Sequence, residues 1–292
     1  MKPYIIFNPN AGSVGDREIA VARLKELNPI ALRITRRTGD AERWARRACL
    51  SKATNIIVAG GDGTLNEAVN GIGMLARRLR IGLVPLGTGN DFARTLGLPL
   101  SIEDNIDILR SGKTRSIDMV TVKSRRNRYF VNVSAGGFSG LVNEKMTAEI
   151  KRTWGPLAYV RGAAAALPEL HAYKTEILLD DRERLSIDLY NVVVANGRFV
   201  AGGLPIAPTA DPADGKLEVV LVPKLGPAEI ALLAAQIVLG KHLSSNATIF
   251  RQVRKVAVRS RPGMWFNIDG ELVGNAPTVF QIMPRALNFI VK

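Results

Sequence analysis

Carboxylates set among glycines are the residues in this chain whose types and spacing could do chemistry. Gly60, Gly61, Asp62, Gly63 and Thr64 follow an apolar run at residues 55–59, and Leu65, Asn66 and Glu67 come next. The run reads as a buried strand and the glycines as a bare-backbone turn. Thr64, three residues ahead of Glu67, has the capping-box spacing that opens a helix. A strand feeding such a turn into a helix N-terminus suits phosphate, because glycines let the backbone approach a polyanion and unpaired N–H groups point at it. Asp62 would repel phosphate unless it holds Mg²⁺, orients water or takes a proton. A second turn of this kind, Gly87, Thr88, Gly89, Asn90 and Asp91, follows the apolar residues 81–84. Asp118 lies where the pattern of the chain changes. Asp211 and Asp214, with Gly215 and Lys216, form a turn that can offer a carboxylate and backbone carbonyls, the hard oxygen ligands that Mg²⁺ prefers. Asp-Gly is also an ordinary turn signal, and Asp269, Gly270 and Glu271 read equally as a plain type I′ hairpin tip.

Other chemistries find little support. The chain has no Gly-x-x-x-x-Gly-Lys-Ser/Thr loop and no Gly-x-Ser-x-Gly elbow, and Ser139 sits in a glycine turn without a placed base. His171 and His242 are the only histidines and stand far apart, whereas zinc wants clustered ligands. Cys49 falls on the stripe of Ala41, Trp44, Ala45 and Ala48 that a buried helix face would present, so it reads as a core residue. Arg125, Arg126 and Arg128 beside Tyr129 could touch a nucleic acid, but a solvated hairpin tip explains them as well.

The elements that must position these acids alternate up to Asp118. Strands are expected at residues 4–7, 30–34, 55–59 and 81–84, and helices at 16–27, 38–51 and 65–79. This pattern gives a parallel sheet with helices on both faces. Ligands of such sheets bind beyond the carboxyl ends of the strands, where both glycine turns would lie. From residue 117 the pattern turns to antiparallel β. It runs through a hairpin at 119–123 and 129–134, helices at 142–151 and 157–166, and strands at 174–180, 185–195, 217–222, 255–259, 264–268 and 278–283. Residues 286–291 are apolar and could return to the first sheet. The expected fold class is α/β: a three-layer nucleotide-binding domain at 1–118 with a returning strand at 286–292, and a mainly antiparallel β-sandwich domain at 119–285. The active site is expected in the cleft between them.

The 292 residues are 47% apolar and 23% charged, as in a globular protein. No apolar stretch reaches the roughly 18–20 residues of a membrane span. The first residues do not look like a signal peptide, and a single cysteine fits a reducing cytoplasm. The net charge is +14, with 18 basic and 12 acidic residues up to Asp118 and 22 and 14 after it. Such spread positive charge favours a polyanionic surface, either nucleic acid or an anionic bilayer.

In combination these motifs resemble a known family. The run from Gly60 to Thr64 is similar to the signature shared by NAD kinases, 6-phosphofructokinases and diacylglycerol kinases. The rest separates them: residues 7–12, Thr35 ahead of Gly39 to Ala41, residues 65–67, 87–94 and 207–215, and Asp269 to Glu271. In this order they look like the soluble bacterial lipid kinases of the diacylglycerol kinase family, relatives of sphingosine and ceramide kinases.

The resemblance implies ATP contacts from Asn8, Thr35, the turn Gly60, Gly61, Asp62, Gly63, Thr64, Leu65 and Asn66, and Thr88. It implies a structural Mg²⁺ on Asp214 and on carbonyls of Asp211 and Lys216, linked through water to Asp62, Asp91 and Asp118. It also implies Glu271 as general base, with Asp62 in a catalytic role. The expected activity is ATP-dependent transfer of the γ-phosphoryl group to a membrane lipid hydroxyl, diacylglycerol-like or phosphatidylglycerol-like. The enzyme would be cytoplasmic, in peripheral contact with anionic membrane, with no nucleic-acid partner and with a homodimer allowed. An NAD kinase-type enzyme and a catalytically inactive nucleotide-binding regulator are the competing readings. Residues 200–205 depart from the family's common form, which bears on the rim of the acceptor site.

Overall fold

Strands buried on both faces must be apolar without a break, and β1 (Pro3–Phe7), β3 (Asn55–Gly60) and β4 (Arg80–Pro85) nearly are. The computed structural model describes residues 2–138 and 170–292, with the backbone alone at 76–78. In it β1 pairs in parallel with β3 and with β2 (Ala31–Ile34), and β3 pairs in parallel with β4. Successive side chains point to opposite faces. Tyr4, Ile6, Ile56 and Val58 meet Ala41, Ala45 and Ala48 of α2 (Asp40–Cys49) and Leu65, Ala68 and Val69 of α3 (Asp62–Ile72). Ile5, Phe7 and Ile57 meet Ala20 and Leu24 of α1 (Arg17–Lys25), and Ile106 and Leu109 of α5 (Ile102–Ser111). These are the three layers expected.

The helix expected from residue 65 begins three residues earlier. Gly61 is its N-cap and makes no side-chain cap bond, and a 3-10 turn, Gly73–Arg78, follows it. Thr64 is therefore already in the first turn, and the expected capping box does not form. Glu67 instead accepts the Ala41 N–H at 3.1 Å, tying α3 to the start of α2.

The second half is antiparallel. The hairpin of β5 (Thr114–Lys123) and β6 (Asn127–Phe130) forms as expected, but its second strand stops at Phe130. Asp269 explains the stop, because its carboxylate accepts the N–H groups of Val131, Asn132 and Val133. The chain resumes as β7 (Val133–Gly137), which pairs with β9 (Glu183–Ala195) and β15 (Phe266–Ile268). β9 also pairs with β8 (Tyr173–Leu179) and β12 (Leu217–Pro223), and β8 pairs antiparallel with β14 (Lys255–Arg261). The short β10 (Phe199–Val200) and β11 (Leu204–Pro205) pair with each other. Val192, Val194, Val219, Leu221, Phe266 and Phe280 fill the sandwich core. The helices expected at 142–151 and 157–166 lie outside the described residues.

β17 (Thr278–Ile290) merges two expected strands. Its first part pairs with β14, its end runs parallel to β4, and β5 accompanies it on both sides of an irregularity between Met283 and Leu287. Asp118, fully buried mid-strand in β5, accepts the N–H of Arg285 at that irregularity at 2.7 Å. β13 (Ile249–Val253) and β16 (Glu271–Gly274) are strands beyond those expected. In the sequence α6 (Pro227–Val238) reads only as an apolar run.

Candidate active site

A cleft of about 1140 Å³ opens beyond the carboxyl ends of β1, β3 and β4, and the antiparallel half closes its other side. Its polar arm is built from the two glycine turns. They touch backbone to backbone: a Cβ on Gly87 would stand 2.6 Å from Cα of Gly61, so neither turn accepts a side chain there. The Asn8 side chain, at the end of β1, donates to the Thr64 hydroxyl at 3.0 Å and fixes the first strand end to α3. Asn8, Thr35, Gly61, Gly63, Thr64 and Thr88 line this arm. The first N–H groups of α3 have no helical carbonyl before them, so the arm ends on a positive helix terminus. Arg36 and Arg37 line the same arm.

Carboxylates gather where the arm ends. Asp62 accepts the N–H groups of Asp91 at 3.2 Å and Phe92 at 3.3 Å, so the acid of the first turn caps α4 (Asp91–Thr95), which starts at the second. Asp91 in turn accepts the N–H groups of Gly202 and Gly203 at 3.0 and 2.8 Å. Those glycines have φ of 88° and 115°, a region closed to most side chains, so residues 200–205 present two adjacent N–H groups to one carboxylate. Burial raises the Asp91 carboxyl above its ordinary range, and the nearby Asp62 adds to this. Across the cleft Asp269 and Gly270 form the turn between β15 and β16, both at positive φ as a type I′ turn requires. Burial foremost, with help from Asp62, lifts the Asp269 carboxyl to about 7 despite its three N–H donors. Glu271 lines the cleft and accepts from Arg128 at 3.4 Å.

The second arm is apolar. An antiparallel sheet with one wet face alternates apolar and polar residues, but residues 191–195 read Asn-Val-Val-Val-Ala. Val192 and Val194 fill the sandwich core, while Val193 faces the other way, with Val133 and Val220. Val133, Ala135 and Val193 form the floor of this arm. Val200, Leu204 and Ile206 form its rim, and Ala234, Ile237 and Val238 of α6 its wall. Rim and wall are joined by His242, whose ring Nε2 lies 2.8 Å from the Ile206 carbonyl.

Residues 2–122 match the diacylglycerol kinase catalytic domain, and residues 132–291 match the YegS C-terminal NAD kinase beta sandwich-like domain. A diacylglycerol kinase of Staphylococcus epidermidis strain RP62A is 33% identical across 94% of this chain and 87% of the relative. The chain belongs to the diacylglycerol kinase family. Another member, a diacylglycerol kinase of Bacillus subtilis strain 168, is 32% identical across 98% of this chain and 95% of its own. The fold is that of solved family members as well. A Bacillus anthracis protein, provisionally named a diacylglycerol kinase, superposes with a TM-score of 0.84 over 100% of this chain and 97% of its own, at 23% identity. A second Bacillus anthracis structure, of a diacylglycerol kinase, gives 0.76 with the same coverage at 22% identity.

In this family member the expected nucleotide and metal residues separate into three places. Asn8, Thr35, Gly61, Asp62, Gly63, Thr64, Asn66 and Thr88 line the cleft, together with Asp91 and Glu271. Gly60 and Leu65 do not: Gly60 closes β3, and Leu65 is packed in the first core with its N–H on the Gly61 carbonyl. Asp118, Asp211, Asp214 and Lys216 are gathered at another turn. There Asp118 accepts the Gly215 N–H at 2.7 Å, and Asp214 accepts that of Lys216 at 2.9 Å. Asp211 accepts from Ala213 and pairs with Arg115. Burial chiefly, then Asp214 and Asp211, raises the Asp118 carboxyl. Among the described residues no three His, Cys, Asp or Glu side chains are grouped to hold a metal ion, so a cation there would need backbone carbonyls. The unbalanced charge fits one. The Asp214 charge also reaches Glu218, whose buried Oε2 has no hydrogen-bond partner.

Sequence reasoning assigned no role to Arg36, Arg37, Asn132 or the apolar arm, and read Arg128 as a solvated hairpin tip or a nucleic-acid contact. Arg128 bridges Glu42 of α2 at 3.7 Å and Glu271 of β16, so the hairpin read as solvated reaches into the cleft. The unbroken run at 192–194 was the legible sign of the arm, since alternation fails only where both faces are covered.

Proposed function

We propose that this chain is an ATP-dependent lipid kinase that transfers the γ-phosphoryl group to the hydroxyl of a diacylglycerol-like or phosphatidylglycerol-like membrane lipid. One observation carries the reading: a single cleft joins a glycine-lined polar arm to an apolar arm, with carboxylates at the junction. The polar arm would take the triphosphate on the first N–H groups of α3, with Asn8, Thr35, Thr64 and Thr88 around the nucleotide. Arg36 and Arg37 add positive charge on the same side. The apolar arm would take acyl chains, and it offers the polar acceptor of an NAD kinase little to bind.

Mg²⁺ would supply charge neutralisation on the phosphates, and a second, structural cation is expected on Asp214 with the Asp211 and Lys216 carbonyls. Glu271 would be the general base. As the lipid oxygen bonds to the γ-phosphorus and the bond to the bridging oxygen of ADP breaks, its carboxylate takes the hydroxyl proton. Arg128 holds that carboxylate at the junction. Intact Glu271, Asp62 and Asp91 count against an inactive regulator. Among the described residues no helix is long and apolar enough to cross a membrane. We infer a cytoplasmic enzyme working at the bilayer surface, with no nucleic acid among its partners.

The test is incubation with γ-labelled ATP, Mg²⁺ and vesicles that carry, in turn, diacylglycerol, phosphatidylglycerol or a sphingoid base. Label should appear in one extracted lipid. Label confined to water-soluble products would sink the proposal.

A further inference from the structure

Helix α6 (Pro227–Val238) has apolar residues on two opposite faces, and among the described residues the fold uses only one. Ile230 and Leu233 are buried, while Ala234, Ile237 and Val238 line the apolar arm of the cleft. The other side carries Ala228, Ala231, Leu232, Ala235 and, just past the helix, Leu239, all exposed. With 3.6 residues per turn these five fall within an arc of about 100°. Leu232 is 60% exposed and Leu239 67%.

A helix facing water on one side carries charged and polar residues there. From Pro227 to Gly240 the one charged residue is Glu229, and its carboxylate accepts the Gly226 N–H at 2.7 Å as the cap of the helix. Exposed Lys224 and Lys241 flank the two ends. Exposed Arg94 stands against Gly203 on the neighbouring rim.

We propose that this outer face of α6 lies in the headgroup–acyl boundary of an anionic bilayer and is the surface by which the protein docks on membrane. Three observations favour a bilayer. The same helix walls the apolar arm, so membrane on its outer side brings acyl chains within a helix diameter, about 10 Å, of that arm. Lysines at both ends and a net charge of +14 complement a negative surface. The face is small and aliphatic, without the aromatic and arginine anchors that dominate protein interfaces. The purpose given to the docking rests on the lipid-kinase reading, but the docking itself is measured without it.

The full-length double variant Leu232→Glu with Leu239→Glu changes only water-facing positions. Partition of wild type and variant onto phosphatidylcholine vesicles, with and without phosphatidylglycerol, is read by co-sedimentation. On anionic vesicles the variant should partition about tenfold less or worse, because two leucines leave the apolar layer. Its melting point, and its phosphorylation of a short-chain diacylglycerol dissolved as monomer, should stay within about twofold or a few degrees of wild type. Leu50→Glu, at an 81% exposed position ending α2, should change nothing. Wild-type partition of the double variant overturns the proposal. So does a wild-type dimer that the variant splits without loss of vesicle binding, which would make the face a contact between two copies. Reduced partition with no phosphorylation of any lipid by either protein would leave the docking standing and remove the lipid-kinase reading.

Discussion

Asp62, Asp91 and Asp269 stand around an open cleft, whereas Asp118, Asp211 and Asp214 are gathered at a surface turn beside β5 and β17, where Asp214 is exposed. Every acid of the first group, and Asp118 of the second, takes its hydrogen bonds from backbone N–H groups of distant segments. Asp211 and Asp214 accept theirs from Ala213 and Lys216 of their own turn, Asp211 accepting from Arg115 as well. Asp91 holds Gly202 and Gly203, Asp269 holds residues 131–133, and Asp118 holds Gly215 and Arg285. Each is thus a staple between elements far apart in sequence, and the staple does not distinguish them. What differs is the opening. The first group shares its space with two glycine turns, a helix N-terminus and an apolar arm, and the second lies outside that cleft, against β5 and β17. A carboxylate in a turn becomes a candidate for chemistry through what else reaches the same volume.

Four outcomes would break or sharpen that contrast. The largest is expected at Asp62. Asp62→Asn should lower phosphoryl transfer by about 10²–10³-fold, as loss of a placed charge at the reacting group does. Melting should shift by no more than about 1 kcal/mol in stability, because the amide oxygen can still accept one N–H of α4. Unchanged turnover would move Asp62 into the structural group. Asp118→Ala should do the reverse. It leaves the part-buried N–H groups of Arg285 and Gly215 without an acceptor, a cost of at most roughly 1–3 kcal/mol each. Chemical denaturation should report that loss, while turnover per folded molecule holds.

Asp214→Ala comes third. If the Asp214 turn holds a structural cation, wild type should melt lower in EDTA than in Mg²⁺, and the variant should show no such difference. Equal melting of wild type in both would remove the cation from this turn.

The fourth outcome is the pH response of Asp269. Its carboxyl is lifted from 3.8 to about 7 in the folded protein, so between these values the folded state binds more protons than the unfolded one. The stability this group contributes is complete below the lower value and is lost as pH rises through the upper one. Asp269→Asn, tolerated at a φ of 45°, should flatten the decline in melting point between about pH 4 and pH 7. Parallel slopes for the two proteins would contradict the assignment.

The parallel half was legible in the sequence because its signals are local. Runs such as residues 55–59 ending in glycine carry their own boundaries, and Asp16 caps α1 with two N–H bonds. The type I′ turn at Asp269 and Gly270 was equally local. What was hidden depends on partners far along the chain. Thr64 and Glu67 have capping-box spacing, yet Asn8 takes the first and the Ala41 N–H the second. Arg128 reads as a hairpin tip until α2 and β16 stand on either side of it. Asp118 and Asp91 share a residue type, and nothing in sequence assigns one to β17 and the other to the rim at Gly202. The apolar arm was hidden differently: residues 192–194 and the α6 run are visible, but only the sheet shows that they face one space.

The central claim is that phosphoryl transfer from nucleotide to lipid takes place where the two arms meet, with Glu271 as the base. Its most direct test is to measure labelled γ-phosphate entering diacylglycerol in vesicles for wild type and Glu271→Gln, with ATP affinity and melting point determined on the same preparations. The account predicts lipid labelling by wild type and a loss of roughly 10²–10⁴-fold in the variant, with affinity and melting point retained. Near-normal labelling by Glu271→Gln, or ATP affinity falling in step with turnover, would contradict it.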